Sequence, residues 1–217
     1  MSGRLYDATW GRAFAAAYDR FLRSTERAGL AERRADLISG ARGRTIELGA
    51  GTGLNLVHYT DAVSELVLTE PFGPMAKQLR KRVEGSSRVA EVIEAPAERL
   101  PVDDESFDTV VITLVLCTVA DPTAILAEIE RVLRPGGTVL FLEHVRSGDE
   151  RSARRQDRLH RPWRFVGHGC NCNRDTLAST EASGLELDEV THGEMPKAPS
   201  IVRPLITGSA HRPVAAS

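Results

Sequence analysis

The chain has 217 residues, 41% apolar and 27% charged, with a formal net charge of -2, which suits one globular domain able to bury a full core without staples. A pI near 6.3 and the lack of a long run of one sign argue against a general nucleic-acid partner; the densest basic stretch, Arg151 to Arg164, is broken by Asp157 and Pro162. Three cysteines (Cys117, Cys170, Cys172) do not read as a disulfide framework, no apolar run approaches the roughly 18 residues of a membrane span, and residues 1–12 lack a signal-peptide core, so the sequence predicts a cytoplasmic protein.

In chain order, apolar residues at Phe14, Tyr18, Phe21, Leu22, Leu30 and Leu37 recur with helical spacing, and Gly29 divides them into two helices. Thr45 to Leu48 reads as a buried strand running into Gly49-Ala50-Gly51-Thr52-Gly53, with a helix expected from about Leu54. Leu66 to Thr69 is a second strand, ending at Glu70. Pro74 to Val83 is a helix, with proline near its start where a missing N–H costs nothing. Val89 to Ala95 is a third strand. Phe107 to Thr113 is a fourth, apolar enough to be buried on both faces. Pro122 to Leu133 is an amphipathic helix, with the glycines of Arg134-Pro135-Gly136-Gly137 just past its end, and Thr138 to Val145 is a fifth strand. Arg151 to Phe165 reads as helix and then loop, Leu185 to His192 and Val202 to Ala210 as two last strands, and Arg212 to Ser217 as a frayed tail. This alternation predicts a parallel sheet with helices on both faces.

The glycine-rich turn after the first strand allows a ligand to approach the backbone closely, at the strand ends where open α/β sheets bind ligands. Glu70, at the end of the next strand, is placed to accept both hydroxyls of a ribose. Together they point to an adenosine-type ligand. Three details favour S-adenosylmethionine (SAM) over NAD. The glycines follow G-x-G-x-G rather than G-x-G-x-x-G. Glu47, two residues before the turn, suits a cationic ammonium and repels a pyrophosphate. The small loop Ala95 to Pro101 can flank an adenine, with Glu98 accepting from its amine.

The ordered set Glu47-x-Gly49-x-Gly51-x-Gly53, Glu70, Ala97-Glu98-x-Leu100-Pro101, Ser106-Phe107-Asp108 and Leu133-Arg134-Pro135-Gly136-Gly137 resembles the class I SAM-dependent methyltransferases. The resemblance spans residues 45–144. It implies the Rossmann-like seven-stranded sheet of that superfamily, α/β with an antiparallel last strand. By position, it places Gly49, Ala50 and Gly51 along the methionine part of SAM with Glu47 nearby, Glu70 on the ribose, Pro71 and Met75 near the adenine, Ala97 and Glu98 over its edge, and Leu114 beside the sulfonium. Asn55 and His58 could touch the carboxylate end or serve as cap and surface residues. Tyr18, followed by Asp19, could fold over the cofactor as a lid or belong to the core. The expected organisation is a single domain: a helical lid (1–43), a SAM-binding core (44–145) and a substrate-side segment (146–217).

The C-terminal third, with Phe141-Leu142-Glu143-His144-Val145, Pro162-Trp163, Gly169-Cys170-Asn171-Cys172-Asn173-Arg174-Asp175-Thr176 and Val202-Arg203-Pro204, together with Leu114 to Cys117, resembles the methyltransferase-like family 7 proteins and their bacterial relatives. That resemblance implies S-methylation of a small hydrophobic thiol, possibly a dithiol natural product. The eukaryotic members carry an apolar anchor, which is not carried over to this chain. Methylation of a phenol, quinone or lipid amine is the alternative inside the class. A non-catalytic SAM-binding regulator and a nicotinamide oxidoreductase are the rivals outside it. Candidate catalytic residues are His144 (a base, or a residue closing its strand), Arg174 (a cation near a thiolate, or a partner of Asp175) and Asp175. Trp163 and Phe165 are candidate apolar walls. Clustered His160, His168, Cys170 and Cys172 raise zinc or a Cys170–Cys172 redox pair, but Cys-x-Cys spacing is unusual for structural zinc, and no metal is expected.

Overall fold

The computed structural model describes residues 7–214. Its helices are α1 (Arg12–Thr25), α2 (Ala31–Ile38), α3 (Gly73–Glu84), α4 (Pro122–Val132), α5 (Glu150–Val166) and α6 (Thr176–Glu181). Its strands are β1 (Gly43–Leu48), β2 (Val63–Thr69), β3 (Glu91–Ile93), β4 (Phe107–Thr113), β5 (Leu133–His144), β6 (Glu186–Glu194) and β7 (Pro204–His211). They form one seven-stranded sheet in the order β3-β2-β1-β4-β5-β7-β6. β1 to β5 are mutually parallel, and β7 runs antiparallel to both β5 and β6. The seven-stranded, Rossmann-like sheet with an antiparallel last strand is therefore the observed fold.

The core follows the strand period of two. On β2, Leu66 and Leu68 join Ile38, Leu79 and Leu140 on one face, while Val67 turns to the other. There Ile46, Phe107, Val110 and Ile112 pack against Ile125 and Ile129 of α4. Strand order reverses between β1 and β4, so their carboxyl ends open a crevice at the sheet's switch point.

Several expectations need correction. No helix starts at Leu54. The chain makes one short turn (Leu56–His58) and is extended at Tyr59, because β2 must begin at Val63 and Asn55 and Tyr59 turn inward to Glu47. The glycines of Arg134 to Gly137 do not cap α4, which ends in an extended Leu133; they lie in a register break of β5. The third strand shrinks to three residues at the sheet edge. α5 continues through Pro162 to Val166 instead of turning into loop, and α6 was not anticipated. Gly29 does break the first helical stretch, at φ 125°. Arg212 is not frayed: its N–H donates to Gly137 O at 3.0 Å and its guanidinium holds Leu133 O. Residues 1–6 of the expected lid and 215–217 of the expected tail lie outside the described residues.

Candidate active site

The turn after β1 carries three left-handed glycines: Gly49 (φ 61°), Gly51 (φ 59°) and Gly53 (φ 85°). A Cβ on Gly49 would stand 2.8 Å from Val115 Cγ2, whereas one on Gly51 would meet nothing closer than Tyr18 Cε1 at 4.0 Å. Glu70, at the end of β2, accepts from Gly51 N–H at 2.9 Å and Phe72 N–H at 2.8 Å. Burial pushes its carboxyl up and these two donors oppose the rise. A carboxylate has about four acceptor positions, so hydroxyl donors can still be received.

Below this turn lies a buried polar floor that sequence reasoning missed. Arg34 of α2 is 3% exposed. Its Nη1 donates to Asn55 Oδ1 at 2.9 Å and Thr113 Oγ1 at 3.0 Å, and its Nε pairs with Glu26 at 3.1 Å. Asn55 Nδ2 in turn donates to Glu47 at 2.8 Å, and Tyr59 Oη donates to the other Glu47 oxygen at 2.7 Å. Arg34, Asn55 and Thr113 line a cleft of about 20 Å³ together with Tyr18, Gly49, Ala50 and Gly51. Glu47 lies one layer beneath with both oxygens engaged, its carboxyl pushed up by burial, and it anchors Asn55 instead of facing the cleft. His58 stays outside the lining. No pattern distinguishes Arg34 from its neighbour Arg33 on an amphipathic helix, so nothing in the sequence singles it out.

α1 closes the cleft from above. Thr52 Oγ1 and Arg82 both donate to Asp19, at 2.5 and 2.6 Å, and Gln78 Nε2 donates to Ala15 O at 2.9 Å. Burial raises the Tyr18 hydroxyl to about 12, so it stays protonated on the cleft wall. Phe14 and Phe72 flank the His168 ring at 5.2 and 4.8 Å. On the side expected for adenine, Met75 and Ala97 are buried while Pro71 and Glu98 are exposed. A larger open groove of about 540 Å³ between α1 and α3 contains no strand end, so strand-end chemistry belongs to the smaller cleft.

The other half of the site gathers at the ends of β4 and β5. Leu114 takes a left-handed φ of 60°, a conformation that costs a non-glycine residue energy and tends to occur at functional turns. Glu143, fully buried, receives the N–H groups of Val115, Leu116 and Cys117 at 2.7, 2.9 and 3.3 Å. A charge interrupting the apolar run of β5 was the available signal for this residue. Arg174 clamps the same segment from the far side, donating to Leu116 O and, at 2.7 Å, to Val119 O. Asp175 caps α6 through Ala178 N–H at 3.1 Å. Of the three candidate catalytic residues, Arg174 and Asp175 are thus engaged in holding backbone, and neither pairs with the other.

His144 is 4% exposed, with Nε2 at 2.9 Å from Cys170 Sγ. Trp163 Nε1 donates to the same sulfur at 2.9 Å. A hydrogen bond from Cys117 and the His144 contact outweigh burial and pull the Cys170 thiol down to about 5. For His144, burial works to lower its basicity, but Cys170 and Glu143 prevail and raise it. The cluster that the sequence raised as an alternative is not assembled. Cys172 is fully buried against Gln156 O, and His168 stacks near α1. The partners of Cys170 are Cys117, from the turn after β4, and His144, from the end of β5.

Residues 46–141 match the family described as "Methyltransferase domain". Human thiol S-methyltransferase TMT1A is 33% identical over 171 residues, covering 76% of this chain and 69% of that protein. The chain belongs to the SAM-dependent methyltransferases. Human thiol S-methyltransferase TMT1B matches this methyltransferase at 35% identity over 150 residues, 66% of the chain. The chain spans about three-fifths of the length of the TMT1B relatives. Among solved structures, a SAM-dependent methyltransferase of Thermotoga maritima, described as a possible histamine N-methyltransferase, superposes with a TM-score of 0.70 at 23% identity, covering 94% of this chain and 98% of that one. The cofactor of the family is SAM, and the open space over Gly51, the acceptor at Glu70 and the cation at Arg34 are chemically suited to its backbone contact, ribose and carboxylate. Among the described residues, no helix is long and apolar enough to cross a membrane.

Proposed function

We propose that this methyltransferase transfers a methyl group to the sulfur of a small hydrophobic thiol, and that residues 1–217 act as one domain. The observation that carries the reading is the end of β5. There His144 meets Cys170, whose sulfur also takes the Trp163 N–H, while the neighbouring carboxylate Glu143 is consumed by three backbone N–H groups. Among the described residues no strong oxygen base is free at this place, and a thiol needs none: with a pKa of about 8.5, a few per cent is already thiolate at neutrality. The names of the TMT1 relatives support the same acceptor.

In this reading Gly49, Ala50 and Gly51 run along the methionine part of SAM. Arg34 and Asn55 receive its carboxylate, with Glu47 holding Asn55 in place. Glu70 takes the ribose hydroxyls, Pro71, Met75, Ala97 and Glu98 border the adenine, Leu114 lies beside the sulfonium, and Tyr18 covers the cleft. When bound, SAM supplies an electrophilic methyl. The residues supply positioning, which alone can remove several kcal/mol from the barrier. Glu143 and Arg174 fix residues 114–119 as the wall against which the acceptor lies, and His144 receives the thiol proton. The chemistry SAM would supply is transfer of that methyl to the thiolate sulfur, with S-adenosylhomocysteine as the leaving product.

The test incubates the protein with SAM and panels of thiols, phenols and amines while S-adenosylhomocysteine is measured. Release with hydrophobic thiols alone is the expected result. Release with phenols or amines but not thiols overturns the acceptor, and tight SAM binding without release for any of them favours a regulator.

A further inference from the structure

Cys117, His144 and Cys170 each offer one ligand atom, and all three atoms lie within 4.8 Å of one another. They come from the turn after β4, the end of β5 and the loop before α6. All are buried, at 1%, 4% and 7% exposure. The two loops are locked together at this point, since Asn171 donates to Cys117 O from its backbone N–H at 2.7 Å and its side chain at 3.1 Å. Trp163 adds an N–H to the Cys170 sulfur, the kind of outer contact that orients a metal-bound thiolate. The His144 ring is held by Cys170 alone, for its Nδ1 is buried without a partner. Two sulfurs and one imidazole form a soft donor set that selects zinc over magnesium or calcium. Two cysteines and a histidine are also a donor set known to leave a fourth zinc position open. No other histidine, cysteine or carboxylate among the described residues joins the group. In a tetrahedral site of ordinary bond lengths the nitrogen–sulfur separation is about 3.5 Å, so the present 2.9 Å contact must widen by about half an ångström.

We propose that Cys117, His144 and Cys170 form a site for a soft divalent cation, zinc above all, whose open fourth position receives the sulfur of the acceptor. The second half rests on the thiol acceptor proposed above; the metal site itself does not. The site lies near the cleft, since Cys117 acts electrostatically on the cleft-lining Tyr18. A cation there would stabilise the acceptor as thiolate, the role a metal plays when it lowers the pKa of a bound group; the thiol proton would then leave to solvent, and His144 would act as ligand in place of proton acceptor.

The experiment strips the whole chain with a chelator and titrates it with Co2+, reading the near-ultraviolet sulfur-to-cobalt charge-transfer band. The expected result is one equivalent bound with a tetrahedral spectrum, displaced by Zn2+. Cys117→Ser and Cys170→Ser should each lose the band, while Cys172→Ala keeps it. Wild-type protein that binds no Co2+ overturns the site, whatever the folding of the variants, and so does a band that survives in both serine variants. With Co2+ bound, a phenylalkyl thiol should shift the spectrum. An unshifted spectrum, or undiminished thiol methylation by metal-free protein, overturns the fourth-position role while leaving the thiol acceptor intact. A failure of thiol methylation in the panel above, with the band present, overturns the acceptor and not the metal.

Discussion

The two halves of the site are built by opposite means. The cofactor half is made mostly of consecutive residues: a strand, three left-handed glycines and an acid at the next strand end lie within 43–72, with Arg34 brought in beneath them. The half around β4 and β5 is made of side chains from 113–119, 143–144 and 163–175. The first depends on backbone conformation, the second on tertiary assembly. A site of the first kind tolerates few substitutions but is robust in its geometry. One of the second kind depends on every clamp that brings the strands together.

Each side of this contrast can be tested. The largest effect is expected at Arg34, because the cofactor half also rests on one buried side-chain network. Arg34→Met leaves Asn55 Oδ1 and Glu26 without this donor and Thr113 with Asn55 alone, and loss of a buried charged partner costs about 3–5 kcal/mol. Thermal unfolding should show a fall of many degrees, and an unchanged midpoint would mean that the backbone alone supports this half. Glu70→Gln removes a charged acceptor from the proposed ribose site. Hydrogen bonds to charged groups contribute about 1.5–3 kcal/mol, so SAM affinity measured by calorimetry should drop roughly ten- to hundredfold. Gly49→Ala forces a Cβ into the left-handed region at about 1–2 kcal/mol and against Val115; stability should fall by at least that much, and SAM binding should weaken as Val115 shifts.

Smaller effects are expected on the other side. Asp175→Ala removes the cap of α6 and should cost about 1 kcal/mol with methyl transfer per folded molecule preserved. Lost transfer in a protein of normal stability would return Asp175 to the chemistry. Asp157 is held at about 2 by Arg146 and Asn173, below its ordinary 3.8. The stability it adds is present above pH 3.8 and disappears as the pH falls towards 2. Acid unfolding curves of Asp157→Asn should lack this portion, and superimposable curves would show that the Arg146 fork adds nothing.

Legibility divides along the same line. The parallel sheet and the glycine turn could be read because period, turn residues and strand-end acids are local signals, whereas the antiparallel last strand was implied only by the family resemblance. The missing helix at Leu54 could not, since it is the inward pull of Glu47 on Asn55 and Tyr59 that shortens the segment. Arg34 was invisible because burial of an arginine is decided by partners 21 and 79 residues away. Cys170 was noticed but given the wrong neighbours: proximity in sequence suggested Cys172 and His168, and the topology supplied Cys117 and His144.

The insertion of β7 between β5 and β6 has a consequence for synthesis. Thr138 to His144 pairs with 205–211, so the edge of β5, with its apolar Val139, Leu140, Phe141 and Leu142, has no hydrogen-bonding neighbour on that side until residues 205–211 have left the ribosome. Unpaired apolar edges recruit other strands, and partly folded chains are where such recruitment happens. The nascent protein therefore passes through a stage in which five strands are ready and the sixth position stands open, and the interval between translating residues 144 and 211 is when it most needs shielding from its own copies.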